Sequence, residues 1–188
     1  MRTCPSSPAG GRAGAVVPRH VVLVGLSGSG KSTVGAIVAA RLKAPFVDLD
    51  TLVEHRAGRS ITRIFDEDGE AAFRALEAAV AEDVLAAPPS IIAAGGGYLD
   101  DPGNRRRTLN AAVVVYLETS PGVAAARLGD AVGRPLLDGS DRAQRLGDML
   151  ERRAPVYHQA QQRVTTDGLT ADQVADEVVA LARKKGGW

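Results

Sequence analysis

Short apolar runs alternate along the chain with longer segments in which apolar residues recur at helical spacing. The first run, His20–Val24, is rich in β-branched residues and is typical of a strand that is buried on both faces. A glycine-rich stretch follows, and the next apolar residues have the spacing of one helix face: Val34, Ile37, Val38 and Leu42. The pattern therefore predicts a strand, a glycine loop and a helix in this order.

The same alternation continues to the end of the chain. We predict further strands at residues 45–48, 91–94, 112–117 and 164–165. We predict helical segments at residues 60–87, 122–128, 143–158 and 170–184. Strands that alternate with helices form a parallel sheet covered on both faces, and ligands bind at the carboxyl ends of its strands. The chain is therefore expected to be an α/β protein.

Two segments depart from this pattern. Residues 1–18 contain Ser, Pro, Gly and Arg rather than an apolar core, so we interpret them as a flexible N-terminal extension or a misassigned start. Residues 129–141 carry Gly, Pro and charges without periodicity, and this loop is long enough to be a mobile lid. We expect residues 19–188 to form a single domain, because a chain of 188 residues has room for one core.

Composition excludes several classes of partner. The formal net charge is +1, which gives no argument for binding to nucleic acid or to an acidic membrane surface. No apolar run approaches the length of a transmembrane helix. The single cysteine, Cys4, excludes an intramolecular disulfide and fits a reducing compartment. We therefore expect a cytoplasmic protein that binds neither nucleic acid nor membrane.

The glycine-rich stretch carries a phosphate-binding motif. Residues 25–32, Gly-Leu-Ser-Gly-Ser-Gly-Lys-Ser, match the Walker A pattern in full. Its glycines let backbone N–H groups turn towards phosphate oxygens, and the following helix adds its positive end. Lys31 is placed to reach the β- and γ-phosphates, and the Ser32 hydroxyl to bind magnesium. We predict that these residues bind the nucleotide: Gly28, Ser29, Gly30, Lys31, Ser32 and Thr33.

Two other nucleotide-binding classes do not fit. Gly28-x-Gly30, with Asp50 about twenty residues further on, is similar to a dinucleotide-binding fingerprint, but Thr33 takes the place of the third glycine. Lys31 would also stand where the helix must approach a pyrophosphate closely. A GTPase would carry a guanine-reading Asn-Lys-x-Asp segment, and the sequence has none.

Asp48 and Asp50 lie at the end of the predicted second strand. Alternate strand residues point to the same face, so both carboxylates could face the nucleotide. They could equally cap a following helix, and their spacing leaves both interpretations open. Glu118 ends an apolar strand as a Walker B acid does, but we interpret it as a plain strand terminus.

Six motifs together resemble the shikimate kinase family in order and spacing. They are Asp48-Leu49-Asp50, Gly58-Arg59-Ser60-Ile61 with Ile64-Phe65, Gly69-Glu70 with Phe73-Arg74-Ala75-Leu76-Glu77, Gly95-Gly96-Gly97, Arg134-Pro135-Leu136-Leu137, and Arg153-Ala154-Pro155-x-Tyr157. The resemblance runs from about residue 21 to residue 157. It implies a three-layer α/β/α P-loop NTPase fold of the nucleoside monophosphate kinase class, with a five-stranded parallel sheet.

The resemblance also implies an activity. A shikimate kinase uses ATP and Mg²⁺ to phosphorylate the 3-hydroxyl of shikimate, on the route to chorismate and the aromatic amino acids. We expect shikimate and ATP as the binding partners of this chain, and a monomer as its working form.

Roles on the acceptor side follow from the resemblance. It implies these substrate-binding residues: Asp50, Arg74, Glu77, Gly95, Gly96, Gly97 and Arg153. Arg74 and Arg153 would bind the substrate carboxylate, because a planar guanidinium forks onto a carboxylate, and Glu77 would orient Arg74. Asp50 would orient the attacking hydroxyl first and accept its proton second, since positioning matters at least as much as base strength in phosphoryl transfer. The glycines would let the substrate approach the backbone.

Roles on the nucleotide side follow in the same way. Lys31 and the lid residue Arg134 would be catalytic, because they offset charge as the γ-phosphoryl group moves. Arg127 would stack on adenine. Ser32 and Asp48 would form the metal site, with Asp48 acting through a metal-bound water.

Simpler interpretations exist for the residues and for the whole protein. Arg74 could be a helix-surface ion pair with Glu70 and Glu77, and Arg153 one more charge in an Arg-rich helix. Two other functions are a different small-metabolite kinase, such as one for gluconate, and a regulatory nucleotide-binding module without catalysis. The presence of Lys31, Asp50 and the lid arginine speaks against the regulatory module.

Overall fold

The computed structural model describes residues 18–129 and 141–188. Residues 1–17 of the predicted extension and residues 130–140 of the predicted lid lie outside the described residues. Arg134 is among them, so its catalytic role, the lid and the extension stay predictions.

The centre of the fold is a five-stranded sheet. Its strands are β1 (His20–Val24), β2 (Phe46–Asp48), β3 (Ile91–Ala93), β4 (Ala112–Glu118) and β5 (Gln162–Thr165). The order across the sheet is β2-β3-β1-β4-β5, and every neighbouring pair is parallel. This confirms the predicted five-stranded parallel sheet. The order also differs from the 3-2-1-4-5-6 order of the dinucleotide-binding fold, which agrees with the exclusion of that class.

Helices connect the strands. They are α1 (Lys31–Leu42), α2 (Leu49–Ala57), α3 (Ile61–Ala86), α4 (Pro102–Ala111), α5 (Pro121–Leu128), α6 (Arg142–Tyr157) and α7 (Ala171–Gly186), with a 3₁₀ turn at Tyr98–Asp100. Non-helical backbone at Gly69 divides α3 into two parts that meet at a kink. In the part of the chain that the structure describes, no helix is long and apolar enough to cross a membrane.

Alternate residues of β1 enter two separate apolar cores. Val22 and Val24 belong to the core that also contains buried side chains of α3 and α6. Val21 and Leu23 belong to the core shared with α1 and α7. Because successive strand residues point to opposite faces, the sheet is covered on both sides. The arrangement is therefore the predicted three-layer α/β/α fold.

Two helices were not predicted, and one of them corrects the interpretation of the acidic pair. β2 ends at Asp48, and α2 starts at Leu49, so Asp50 is in the first turn of a helix. The Asp48 carboxylate accepts hydrogen bonds from the backbone N–H of Asp50 (3.1 Å) and of Thr51 (3.4 Å). The argument from strand alternation is therefore wrong: Asp48 caps a helix, and Asp50 reaches its position from that helix.

Candidate active site

A cleft of about 430 Å³ lies at the carboxyl ends of the central strands. It is lined by residues of the glycine loop and α1, by both acids after β2, by residues after β3, and by parts of α5 and α7: Gly28, Ser29, Gly30, Lys31, Ser32, Thr33, Val34, Asp48, Asp50, Ala93, Ala94, Gly96, Arg127, Leu128, Thr166, Leu169, Ala171 and Val174. The fold thus brings the predicted Walker A residues, Arg127 and both acids to one place.

The glycine loop requires backbone conformations with positive φ, which glycine adopts readily and other residues avoid. Gly28 has φ +83°, and a Cβ added there would lie 2.4 Å from the carbonyl oxygen of Ala124 in α5. The Lys31 ammonium donates to the carbonyl oxygens of Gly25 (3.0 Å) and Leu26 (2.8 Å). These bonds hold the positive charge of Lys31 next to the loop. The amino end of α1 also attracts anions to the same place.

Ser32 and Asp48 meet at the start of α1 and the end of β2. The Ser32 hydroxyl donates to Asp48 Oδ2 at 2.5 Å, while Asp48 Oδ1 caps α2. Asp48 therefore caps α2 through one carboxylate oxygen and contacts Ser32 of the cleft through the other. A hydroxyl beside a carboxylate is an oxygen donor set that suits Mg²⁺. Within residues 18–129 and 141–188 no three His, Cys, Asp or Glu side chains form a metal-binding group.

Gly95 lies between two carboxylates. A Cβ at this position would be 2.5 Å from Glu77 Oε1 and 3.0 Å from Asp50 Oδ1, so the absence of a side chain lets both acids approach the backbone. Glu77 is completely buried, and its Oε1 has no hydrogen-bond partner among the residues that the structure describes. Burial raises the pKa of Glu77, and the neighbouring Arg74 guanidinium opposes that increase.

Arg74 of α3 and Arg153 of α6 converge on Gly97. A Cβ added there would lie 2.7 Å from Arg153 Nη2 and 2.8 Å from Arg74 Nη2. The two predicted carboxylate ligands thus lie together, although 79 positions separate them in the sequence. Two guanidinium groups beside a side-chain-free backbone form a site that attracts an anion.

Arg74 also forms the ion pairs with Glu70 and Glu77 that its spacing on the helix indicates. Its Nη1 donates to Glu77 Oε2 at 2.8 Å, and its Nη2 donates to Glu70 Oε1 at 3.1 Å. Burial lowers the pKa of Arg74, but the two carboxylates outweigh this effect and the net shift is upwards. The guanidinium therefore stays charged and is held in place from its own helix.

Asp100 was missed by the sequence analysis. Its carboxylate accepts a hydrogen bond from Arg153 Nε at 2.9 Å, and the Arg153 side chain is only 15% exposed. The bond leaves the two Nη groups of Arg153 directed at Gly96 and Gly97. The two partners are 53 positions apart, so no spacing within one helix could have indicated the pair.

The far rim of the cleft holds Arg127, as predicted, together with residues that were not predicted. Arg127 donates to the hydroxyl of Thr166 (2.9 Å) and to its carbonyl oxygen (2.8 Å). Leu128, Leu169 and Ala171 add apolar surface beside this guanidinium. A flat guanidinium next to apolar side chains suits a flat aromatic ring.

Glu118 is not among the residues that line the cleft. Its carboxylate contacts Arg163 and Thr165 of the neighbouring strand β5, each at 3.4 Å. This position agrees with its interpretation as a plain strand terminus.

Comparisons with known proteins identify the family. A model of the family described as shikimate kinase matches residues 27–183. The shikimate kinase of Prosthecochloris aestuarii is 37% identical over 179 residues, which cover 89% of this chain and 91% of the relative. The solved structure of the Acinetobacter baumannii shikimate kinase in complex with shikimate has a TM-score of 0.86 at 32% identity, and the match covers 90% of this chain and 95% of that one. A gluconokinase from Sinorhizobium meliloti, with a TM-score of 0.60 at 21% identity, shares the fold alone. With its glycine loop, paired arginines and five-stranded sheet in place, this chain belongs to the shikimate kinase family.

Proposed function

We propose that this enzyme transfers the γ-phosphoryl group of ATP to the 3-hydroxyl of shikimate, giving 3-phosphoshikimate and ADP on the route to chorismate and the aromatic amino acids. The observation that carries the proposal is the convergence of Arg74 and Arg153 on Gly97, next to a cleft that contains the Walker A loop and Asp50. Membership of the shikimate kinase family supports the same activity.

On the acceptor side, the two guanidiniums bind the carboxylate of shikimate, which fixes the direction of the ring. The glycine triplet leaves room for the ring at the backbone, because any side chain at Gly95 or Gly97 would meet Glu77, Arg74 or Arg153. Asp50, within reach of the same backbone, accepts hydrogen bonds from the ring hydroxyls. Geometry of this kind places the attacking oxygen in line with the phosphoryl group.

On the nucleotide side, the loop N–H groups and Lys31 hold the β- and γ-phosphates, and Arg127 supports the adenine. Asp50 takes the proton of the 3-hydroxyl as the new O–P bond forms and the bond from the γ-phosphorus to ADP breaks. Because the transition state of phosphoryl transfer is loose, positioning and charge compensation supply most of the catalysis. We assign the remaining compensation to Arg134.

The oxygen groups of Ser32 and Asp48 fit a magnesium ion that accompanies ATP. Mg²⁺ keeps several waters and takes one or two protein ligands together with phosphate oxygens, which suits a site with a single hydroxyl and a single nearby carboxylate. When bound, the ion neutralises charge on the transferring phosphates. The Ser32 hydroxyl would be its ligand, and Asp48 would hold a metal-bound water.

We propose further that the enzyme acts as a monomer in the cytoplasm. The Walker A loop, Asp50 and both arginines of the described chain lie together within one protomer, which supports a site that is built without a second copy. The single cysteine suits a reducing compartment. Light scattering of the purified protein, with and without both substrates, measures the oligomeric state, and a stable dimer would contradict this part of the proposal.

The activity is tested by following ADP release with shikimate, with gluconate and with no acceptor. Gluconate also carries a carboxylate, so this comparison separates a shikimate kinase from its fold relative. We expect ADP release only with shikimate, together with a phosphorylated product detected by mass spectrometry. The proposal is contradicted if ADP is released with gluconate but not with shikimate. It is also contradicted if shikimate, at any concentration, does not raise ADP release above that without an acceptor.

A pair of lysine variants shows that the signal belongs to this site. Lys31→Ala should abolish measurable turnover, because the γ-phosphate loses its point-charge partner. Lys184→Ala, on the exposed face of α7, removes the same charge far from the cleft and should retain wild-type turnover.

A further inference from the structure

Tyr157, near the end of α6, carries a buried hydroxyl that the proposed mechanism does not use. The residue is 1% exposed, and its O–H donates to the carbonyl oxygen of Gly96 at 2.5 Å. Burial raises the pKa of this phenol, so the group stays protonated and remains a donor. The bond joins α6 to the middle glycine of the triplet, which lines the cleft.

The ring of Tyr157 is held by the sheet. It stacks on Tyr116 of β4, with ring centroids 5.0 Å apart and an interplanar angle of 23°. Tyr116 is 2% exposed, and β4 pairs along its length with the central strand β1. The position of the phenol is therefore set by the rigid core of the fold, as a group that must orient a site requires.

The Gly96 carbonyl and the Gly97 N–H belong to one peptide group. The peptide bonds of the described chain are trans, so this N–H points away from the carbonyl and thus away from Tyr157. A donor on the carbonyl oxygen fixes the peptide plane and polarises the group, which makes the N–H a stronger donor. Gly97 is also the residue on which Arg74 and Arg153 converge.

One face of α6 serves both glycines. Arg153 and Tyr157 are four residues apart, so they lie next to each other on the helix surface. The first directs its guanidinium at Gly97, and the second directs its hydroxyl at Gly96. The helix therefore positions a charged ligand and a backbone donor relative to each other.

We propose that Tyr157 is a positioning residue of the acceptor site. Its hydroxyl orients and polarises the Gly96–Gly97 peptide, and the Gly97 N–H then donates to the carboxylate that Arg74 and Arg153 bind. This inference rests on the proposed function, because it needs an acceptor that carries a carboxylate. Tyr157 itself touches neither substrate, so it affects acceptor binding more than the chemical step.

Tyr157→Phe tests this role, because it keeps the ring and its stacking and removes only the hydroxyl. We expect the KM for shikimate to rise about 5- to 20-fold, with kcat within about twofold of wild type and the KM for ATP unchanged. A purely structural role would lower the melting temperature without this selective rise.

Tyr98→Phe is the matched control. Tyr98 follows the triplet directly, is 2% exposed, and its hydroxyl bonds to the Thr108 hydroxyl of α4 at 2.8 Å rather than to the triplet. The variant removes a buried phenol hydrogen bond of the same kind. It should lower the melting temperature to a similar extent and leave the KM for shikimate at the wild-type value.

The outcomes separate this inference from the proposed function. Wild-type enzyme that does not phosphorylate shikimate overturns the function. If the wild type is active, two results overturn the role of Tyr157 and leave the proposed function intact. One is an unchanged KM for shikimate in Tyr157→Phe, and the other is an equal rise of this KM in both Phe variants.

If Tyr157→Phe does not fold, 3-fluorotyrosine at position 157 keeps the O–H and makes it a stronger donor. The KM for shikimate should then not exceed that of wild type, and a rise contradicts the proposal.

Discussion

The two arginines of the proposed acceptor site differ in the side chains that hold them. Arg74 is paired with two carboxylates of its own helix, one of them buried, whereas Arg153 is held through Nε by Asp100 from another element. Replacing Arg74 would leave the Glu77 carboxylate buried without its ion-pair partner, at a cost to folding. Arg153 is therefore the cleaner position at which to measure carboxylate recognition.

Arg153→Ala should weaken shikimate far more than ATP. Losing a charge-assisted, largely desolvated contact is expected to lower kcat/KM for shikimate about 30- to 1,000-fold, with ATP affinity nearly unchanged. Steady-state kinetics with each substrate varied measure both effects. Arg163→Ala, which removes an exposed arginine of β5, is the control and should leave kcat/KM unaltered.

An uncharged amide analogue of shikimate gives the counterpart measurement. Wild type should discriminate strongly against it and Arg153→Ala much less, because both losses are the same interaction. Independent, additive losses would show that Arg153 does not bind the carboxylate.

Asp100 and Asp101 are adjacent acids with different tasks. Asp100→Asn weakens the acceptor for Arg153 Nε and should raise the KM for shikimate about 3- to 10-fold, because the guanidinium is then less well oriented. Asp101 caps α4 by accepting from the Asn104 N–H at 2.7 Å, and asparagine is an equally good cap, so Asp101→Asn should change neither KM nor melting temperature. Equal KM values for the two variants would contradict the assignment.

The sequence identifies a residue of the site well where its role follows from a local pattern. The Walker A residues belong to one continuous motif, and all those predicted line the cleft. Arg74 and Arg153 were predicted only through the family resemblance, since each has an ordinary surface interpretation by itself. Asp100 and Thr166 act through contacts across 53 and 39 positions, and no local pattern encodes those contacts.

At the scale of elements, apolar periodicity predicted the strands and most helices, and it failed at two helices. In α4 the buried residues are Asn104 and Thr108, so its sequence has no apolar stripe. α2 follows β2 without a linker, and Asp50 in its first turn therefore looked like the continuation of the strand. The failure at α4 thus concerns a helix whose buried residues are polar, whereas α2 buries Leu49 and Val53 and was missed because it is short and begins directly at the strand end.

The glycine loop packs directly against α5, and this contact makes Gly28 sensitive to change. Gly28→Ala places a methyl group 2.4 Å from the Ala124 carbonyl at a φ of +83°, so the loop must move. We expect ATP affinity, measured by calorimetry, to fall about tenfold or more while shikimate binding is largely retained.

Gly122→Ala is the control within α5, because an added methyl group there meets nothing within 4 Å. It should bind ATP as wild type does. Wild-type ATP affinity in Gly28→Ala would show that the loop does not hold the phosphates.

At the scale of the whole molecule, a buried histidine joins the central strand to the segment before β3. His20 is 5% exposed, and its Nδ1 accepts a hydrogen bond from the Ser90 N–H at 3.2 Å. Burial lowers the pKa of His20, so folding favours the neutral ring. The contribution of His20 to the free energy of unfolding is fully present above the pKa of about 6.5 that histidine has in the unfolded chain. This contribution is lost as the pH falls towards the lowered pKa of His20 in the folded protein.

Melting temperature should therefore fall as the pH is lowered from about 7 to 5, and His20→Gln should flatten that part of the profile. The exposed His55 of α2 provides the control, and His55→Gln should keep the wild-type profile. If the melting temperature of His20→Gln falls with pH as steeply as that of wild type, another group causes the loss of stability in acid.

The ion pairs of Arg74 have a consequence for the response of the enzyme to salt. Glu70 is 54% exposed and Glu77 only 1%, so an incoming carboxylate can displace Glu70 but not Glu77. Binding at Arg74 is then an exchange of one carboxylate for another, and the number of ion pairs that salt can screen hardly changes. Shikimate affinity should therefore depend only weakly on ionic strength in wild type. In Glu70→Gln the guanidinium has no such competitor, so affinity should be higher in dilute buffer and decline more steeply as salt is added.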